Sequence, residues 1–137
     1  MPDYLLDTNH ATHLLGGAES IRERVRAEAT TGTRFSISMT VLGELFYAIY
    51  ASQRRAENMR ALRVFAADIV IWPFDEAAAE EFGRIQAEQK AKGRPVPALD
   101  AQIAAVARLH NLTILTADHH FQFIEGVILE NWLSPTS

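Results

Sequence analysis

The chain has 137 residues, enough to bury one core but short of two. An apolar fraction of 48% and a charged fraction of 22% exclude a disordered or fibrous chain, and the lack of Cys excludes disulfides and thiolate chemistry. A net charge of −4 argues against broad adhesion to nucleic acid but leaves room for a locally basic groove. No basic region followed by a long apolar run opens the chain, so no signal peptide is expected. No stretch reaches membrane-spanning length, since the most apolar one, Val41 to Ala51, is broken by Glu44. A cytoplasmic protein without a membrane partner is the expectation.

Tyr4 to Leu6 reads as a short buried strand that stops at Asp7. Asn9 to Leu15 follows as a helix closed by Gly16-Gly17. Ser20 is placed to cap a second helix running to about Thr30, with Glu23 completing a capping box. Phe35 to Ser38 alternates and reads as a strand, and Ser38 or Thr40 then opens a helix through Ala51. A helix from about Arg54 to Ala66 turns Met59, Leu62 and Phe65 inward. Ile69 to Trp72 reads as a buried strand ended by Pro73. Asp75 caps a long helix to about Lys92, with Ala78, Phe82 and Ile85 on its inner face. After a loop from Gly93 to Pro97 come a helix from Leu99 to His110, a strand at Thr113 to Leu115 and a last strand at Val127 to Leu129.

Strands alternating with helices or helix pairs predict a mostly parallel sheet covered on both faces, a three-layer α/β/α sandwich. No repeat, low-complexity tract or linker divides the chain, so residues 1–137 read as a single domain with a short, fraying tail after about Trp132.

Asp7, Glu44, Asp100 and Asp118 carry the chemistry. Each has an ordinary reading of its own: an N-cap, an edge or Arg-paired residue, a helix-dipole partner and a turn residue. Glu44 lies among Val41, Leu42, Leu45, Phe46, Tyr47, Ala48 and Ile49, a helix with no ordinary polar face and so expected to be covered on both sides. A buried carboxylate there needs a partner or a metal. Asp7 and Asp118 lie just beyond strands; Glu44 and Asp100 lie early in helices. In a doubly wound sheet those places converge on one edge. Converging carboxylates repel, and a divalent cation relieves the repulsion. Oxygen ligands favour Mg²⁺ or Mn²⁺, and such a site activates water for attack on a phosphodiester. Thr8, Asn9 and Thr116 are placed to support the ligands.

Leu5-Leu6-Asp7-Thr8-Asn9, Glu44 in its helix, Ala98 to Ala105 around Asp100, and Leu115 to Phe121 around Asp118 together resemble the PIN-domain ribonucleases, and among them the VapC toxins of type II toxin–antitoxin systems. The likeness runs nearly the whole chain, to the last strand and Asn131-Trp132. It implies a PIN-like α/β/α fold and a Mg²⁺-dependent endoribonuclease, with Mn²⁺ as a substitute. It further implies a homodimer, or a larger complex, held inactive by a cognate antitoxin. Asp7, Glu44, Asp100 and Asp118 are then the catalytic and metal-binding residues. Leu99 departs from the family's usual polar residue before the third acid.

Other readings compete. His10, His13, His119 and His120 would suit zinc, but they lack the two-His, one-Glu helix signature and more often are partly exposed surface groups. An aspartyl-phosphate enzyme would want an acid where Asn9 stands, and no phosphate-cradling loop follows Gly16-Gly17. A maturation nuclease without an antitoxin, or a non-catalytic binding module, would keep the same sheet. For RNA, Lys90, Lys92 and Arg94 lead into the Asp100 helix and are the better-placed basic cluster; Arg54, Arg55, Arg60 and Arg63 form another. Phe46, Tyr47 and Tyr50 suggest an apolar groove for an antitoxin helix, or a homodimer contact.

Overall fold

The computed structural model describes residues 3–133. The elements run β1 (Tyr4–Leu6), α1 (Thr8–Leu15), α2 (Glu19–Ala29), β2 (Phe35–Ser38), α3 (Met39–Tyr50), α4 (Arg55–Ala67), β3 (Val70–Trp72), α5 (Glu76–Ala91), α6 (Ala98–His110), β4 (Thr113–Leu115), a 3₁₀ turn (His119–Phe123) and β5 (Ile128–Glu130). The expected fraying tail falls largely outside the described residues.

All five strands are parallel, in the order β3-β2-β1-β4-β5. Right-handed crossovers then put α1 to α4 on one face and α5 and α6 on the other, which is the three-layer sandwich expected. The order reverses between β1 and β4, whose register pairs Leu6 with Leu115. Asp7 and Asp118 therefore leave neighbouring strands at the switch point, where open parallel sheets bind ligands.

Burial follows position in the sheet. The central strands β1 and β4 are buried at every residue. So is β2, rather than alternating, because helices cover both its faces. Its serines are satisfied locally: Ser36 Oγ donates to the Tyr4 carbonyl at 2.8 Å, and Ser38 Oγ caps α3 by accepting from Val41 N. The buried strand expected at Ile69 to Trp72 is instead an edge strand, with Val70 38% exposed, because the topology gives β3 a single neighbour.

The cap expected at Ser20 does not form. α1 ends with Gly17 at a φ of +84° and the Ala18 N–H bonded to the His13 carbonyl. That closure leads straight into α2, whose N-cap is Ala18, so Ser20 falls inside the first turn. Asp75 does cap α5, accepting from Ala78 N at 3.0 Å. Between α5 and α6 lies a partly buried ionic lock: Arg108 donates to Glu81 and to Glu88, each at 2.8 Å, and Arg84 also donates to Glu81.

Candidate active site

Asp7 is both an N-cap and a candidate ligand. It is buried at the end of β1 and its backbone N–H donates to the Leu115 carbonyl, across the switch point. Its Oδ1 takes two bonds from His10: the backbone N–H at 2.8 Å and ring Nδ1 at 3.1 Å. Among the described residues Oδ2 accepts no hydrogen bond, so a cap on one oxygen leaves the other for a ligand.

Asp118 repeats the arrangement beyond β4. Its Oδ1 accepts from His120 N at 2.9 Å and lies 2.8 Å from His120 Nδ1, while its own N–H donates to Thr116 Oγ1 at 2.9 Å. Thr116 thus shapes the turn that presents Asp118. Asp100, in the first turn of α6, lies with Oδ2 3.6 Å from His120 Nδ1. Burial, the Asp118 charge and a carboxyl–carboxyl bond to Asp118 push Asp100 up to about 6, and Asp7 adds to the rise. Burial also works to raise Asp118, but bonds from the His120 backbone N–H, Asp100 and the His120 ring outweigh it and hold that carboxyl below its ordinary value.

Glu44 joins through Thr8. The Thr8 hydroxyl, one residue from Asp7, donates to Glu44 Oε1 at 2.6 Å. Across the same edge Thr40 on α3 bonds Gln102 on α6 at 2.8 Å, tying the helices that carry Glu44 and Asp100. Glu44 is half-buried, not enclosed as expected: Tyr47, at 76% exposed, and Tyr50, at 60%, leave the outer face of α3 uncovered in the single chain. Asn9 is exposed, and its carbonyl accepts from His13 Nδ1 instead of supporting an acid.

Two of the histidines expected to be partly exposed surface groups lie against these acids. His10 is fully buried behind Asp7, and His120 bridges Asp100 and Asp118. The signal available in the sequence was their spacing, three residues after Asp7 and two after Asp118, which turns each imidazole back onto its own cap. Among the described residues Asp118, His119 and His120 bring ligand atoms within 4.8 Å of one another, while the four acids form a looser set.

Of the basic candidates, Lys90 is exposed, Lys92 is 3.3 Å from Glu125, and Arg94 lies 4.6 Å over the Phe123 ring. The Gln89 side chain holds the Arg94 carbonyl at 2.9 Å, fixing the loop before α6. In the other cluster Arg54 pairs with Glu57 and Arg63 lies over Phe46, as on a solvated helix face. Phe46, Tyr47 and Tyr50 do not line the apolar cleft between α1, α2 and α4. That cleft, of about 840 Å³, is walled by Leu14, Leu15, Val25, Val64 and Phe65, with Arg22 and Arg34 beside them.

The family model of the PIN domain matches residues 4–126. The chain belongs to the PIN-domain family. Within that family the PIN domain is 33% identical over 134 residues to the tRNA(fMet)-specific endonuclease VapC of Shigella flexneri, a match covering 96% of this chain and 99% of that protein. It is 30% identical to ribonuclease VapC2 of Rickettsia felis, over 94% of this chain and 97% of that one. Among solved structures, the PIN domain superposes with a TM-score of 0.87 on VapBC2 from Rickettsia felis bound to a DNA fragment from its promoter, at 28% identity over 95% of this chain and 98% of that one. The DNA-bound VapBC of Salmonella typhimurium also gives 0.87, at 31% identity over 96% and 99%.

Proposed function

We propose that this PIN domain, residues 1–137 as one unit, is a divalent-metal-dependent endoribonuclease and the toxin of a toxin–antitoxin pair. The observation that carries the reading is the set of carboxylates gathered at the β1/β4 switch point, where Asp100 is pushed up to about 6 by burial and its acidic neighbours. Clustered negative charge of this kind fits a cation. The oxygen donors suit Mg²⁺, with Mn²⁺ as a substitute.

Asp7 through Oδ2, with Asp100, Asp118 and Glu44, would hold the ion, which when bound would supply positive charge for water activation and for the phosphate. Glu44, whose Oε1 accepts from the Thr8 hydroxyl, would also take up a proton at Oε2. Thr116 keeps the Asp118 turn in place. Lys90, Lys92 and Arg94 lead RNA phosphates toward α6. The 33%-identical relative is named for tRNA(fMet), which makes that RNA the first substrate to test.

The partner is a cognate antitoxin, as in the VapBC complexes that this fold superposes on. We place an amphipathic antitoxin helix in the cleft between α1, α2 and α4, and a homodimer contact on the exposed face of α3. Among the described residues no helix is long and apolar enough to cross a membrane, and we assign the protein to the cytoplasm, where its RNA would be.

The test has two arms. Protein freed of antitoxin cuts RNA with Mg²⁺ or Mn²⁺ and stops with EDTA; activity that survives chelation, or that only zinc restores, overturns the metal assignment. Expression of this chain alone arrests growth, and the product of the neighbouring small reading frame co-purifies with it and relieves the arrest. Survival without a co-purifying partner removes the toxin assignment and leaves the nuclease one standing.

A further inference from the structure

His10 is a fully buried imidazole in the first turn of α1. A polar ring in a core is unfavourable unless its nitrogens are paired, and both are. Nδ1 lies 3.1 Å from Asp7 Oδ1. Nε2 lies 3.1 Å from the backbone nitrogen of Trp132, just past β5.

The second contact decides the direction of the first. A backbone N–H only donates, so Nε2 accepts and carries no proton. A neutral imidazole then carries its proton on Nδ1, which donates to Asp7 Oδ1. The tautomer is imposed by a residue 122 positions away in the chain.

That residue is itself held firmly. The Trp132 ring packs edge-on against Tyr4 and Phe35 with centroids at 4.9 and 5.7 Å, Arg24 lies over it at 4.1 Å, and its Nε1 donates to Glu130 at 3.0 Å.

Capping α1 needs only one acceptor on Asp7, and the His10 backbone N–H already uses it. The imidazole adds a second donor to the same oxygen. Two donors on Oδ1 restrain rotation of the carboxylate about its last torsion, a soft one in aspartate. Among the described residues Oδ2 accepts no hydrogen bond.

We infer that His10 is a positioning residue, holding the Asp7 carboxylate in the orientation that offers Oδ2 to the cation and tying that orientation to the docked end of β5. The inference rests on the reading of Asp7 as a ligand. Ligating carboxylates are commonly oriented by such outer partners, whose loss weakens metal affinity by roughly 10- to 100-fold.

The two bonds separate by substitution. Asn at position 10 has an amide near the place of Nδ1 and can donate to Asp7, but it does not reach Trp132. Gln reaches the place of Nε2 and can accept from Trp132, but it leaves Asp7 with one donor. The full chain, freed of antitoxin, is compared as wild type, His10→Asn, His10→Gln and Asp7→Asn. Mn²⁺ affinity is read by calorimetry, and thermal melting is followed in EDTA. The wild-type imidazole tautomer is read from its ¹⁵N shifts.

The expected tautomer is Nδ1–H. His10→Asn retains Mn²⁺ affinity within about threefold of wild type, and His10→Gln loses about tenfold or more while melting closer to wild type than His10→Asn does. An Nε2–H tautomer overturns the inference. So does a His10→Gln chain that binds Mn²⁺ as wild type while Asp7→Asn does not, which would make His10 a core group only. Equal weakening by His10→Asn and His10→Gln also overturns it, because affinity would then follow packing and not the Asp7 bond. If Asp7→Asn binds Mn²⁺ as wild type, the ligand reading itself fails and the inference fails with it.

Discussion

At the level of single residues the site divides its carboxylates by environment. Asp100 is pushed up to about 6 by burial and by Asp118, so in the metal-free protein it keeps its proton where an unfolded chain has lost it. The folded form then binds more protons between about pH 4 and pH 6, and stability falls as pH rises through that window. Asp118 is held below its ordinary value, so its contribution is lost only in more acidic solution and does not cancel the trend. Melting in EDTA should therefore show a decline from pH 4 to pH 6 that Asp100→Asn flattens. Mn²⁺ affinity should run the opposite way, rising with pH over the same window because the ion needs the ionised form. Glu44 is suited to a second measurement. Gln at position 44 still accepts from the Thr8 hydroxyl, so Glu44→Gln should melt within a few degrees of wild type while RNA cleavage falls at least about 100-fold. Cleavage at the wild-type rate would place Glu44 outside the chemistry, and a large loss of stability would make it a structural partner.

The elements place those residues with little waste. β1 and β4 are three residues each, long enough to cross the core and deliver Asp7 and Asp118 side by side. α3 and α6 reach the same edge and are joined by the Thr40–Gln102 bond. Behind that edge α6 is locked to α5 by Arg108, whose side chain is 13% exposed and is shared by Glu81 and Glu88. Truncating Arg108 leaves Glu81, whose side chain is 12% exposed, with Arg84 as its remaining partner. Arg108→Ala should cost about 2 kcal/mol in urea unfolding, the usual order for orphaning a partly buried charge. A change within a few tenths of a kcal/mol would show that α5 and α6 are held by apolar contacts alone. Because Asp100 rides on α6, a loosened variant should also bind Mn²⁺ more weakly.

For the whole molecule the question is how an acidic protein with an uncovered apolar face meets its partners. Tyr47 and Tyr50 project from α3, and Met39 at 45% and Leu99 at 46% are exposed as well. The cleft between α1, α2 and α4 is separate from this face. Two distinct apolar surfaces can serve two partners, and we assign the α3 face to a second copy of the chain. Tyr47→Lys should shift antitoxin-free protein toward monomer in sedimentation velocity without lowering its melting temperature. A variant that sediments as wild type would move the homodimer contact elsewhere.

Much of this was readable in the sequence, because the cues were local. Short apolar runs in β1 and β4, the caps at Ser38 and Asp75, and the Pro and Gly stops are decided by neighbours in the chain, and the elements formed close to where those cues put them. The four acids could be picked out as candidates on local grounds too, Asp7, Asp100 and Asp118 standing where a strand ends or a helix begins and Glu44 standing among apolar neighbours. What tertiary structure decided was everything that depends on order and depth. Sequence cannot say that β3 lies at an edge or that β2 is covered on both faces; those follow from the order β3-β2-β1-β4-β5. Nor can it say that an aromatic-rich α3 turns Tyr47 and Tyr50 outward. His10 is the sharpest instance. Its spacing from Asp7 is local, but its burial and its tautomer come from the Trp132 backbone, brought against it only when β5 pairs with β4. An imidazole is amphipathic and titrates near neutrality, so its role is settled by what the fold places on each of its two nitrogens.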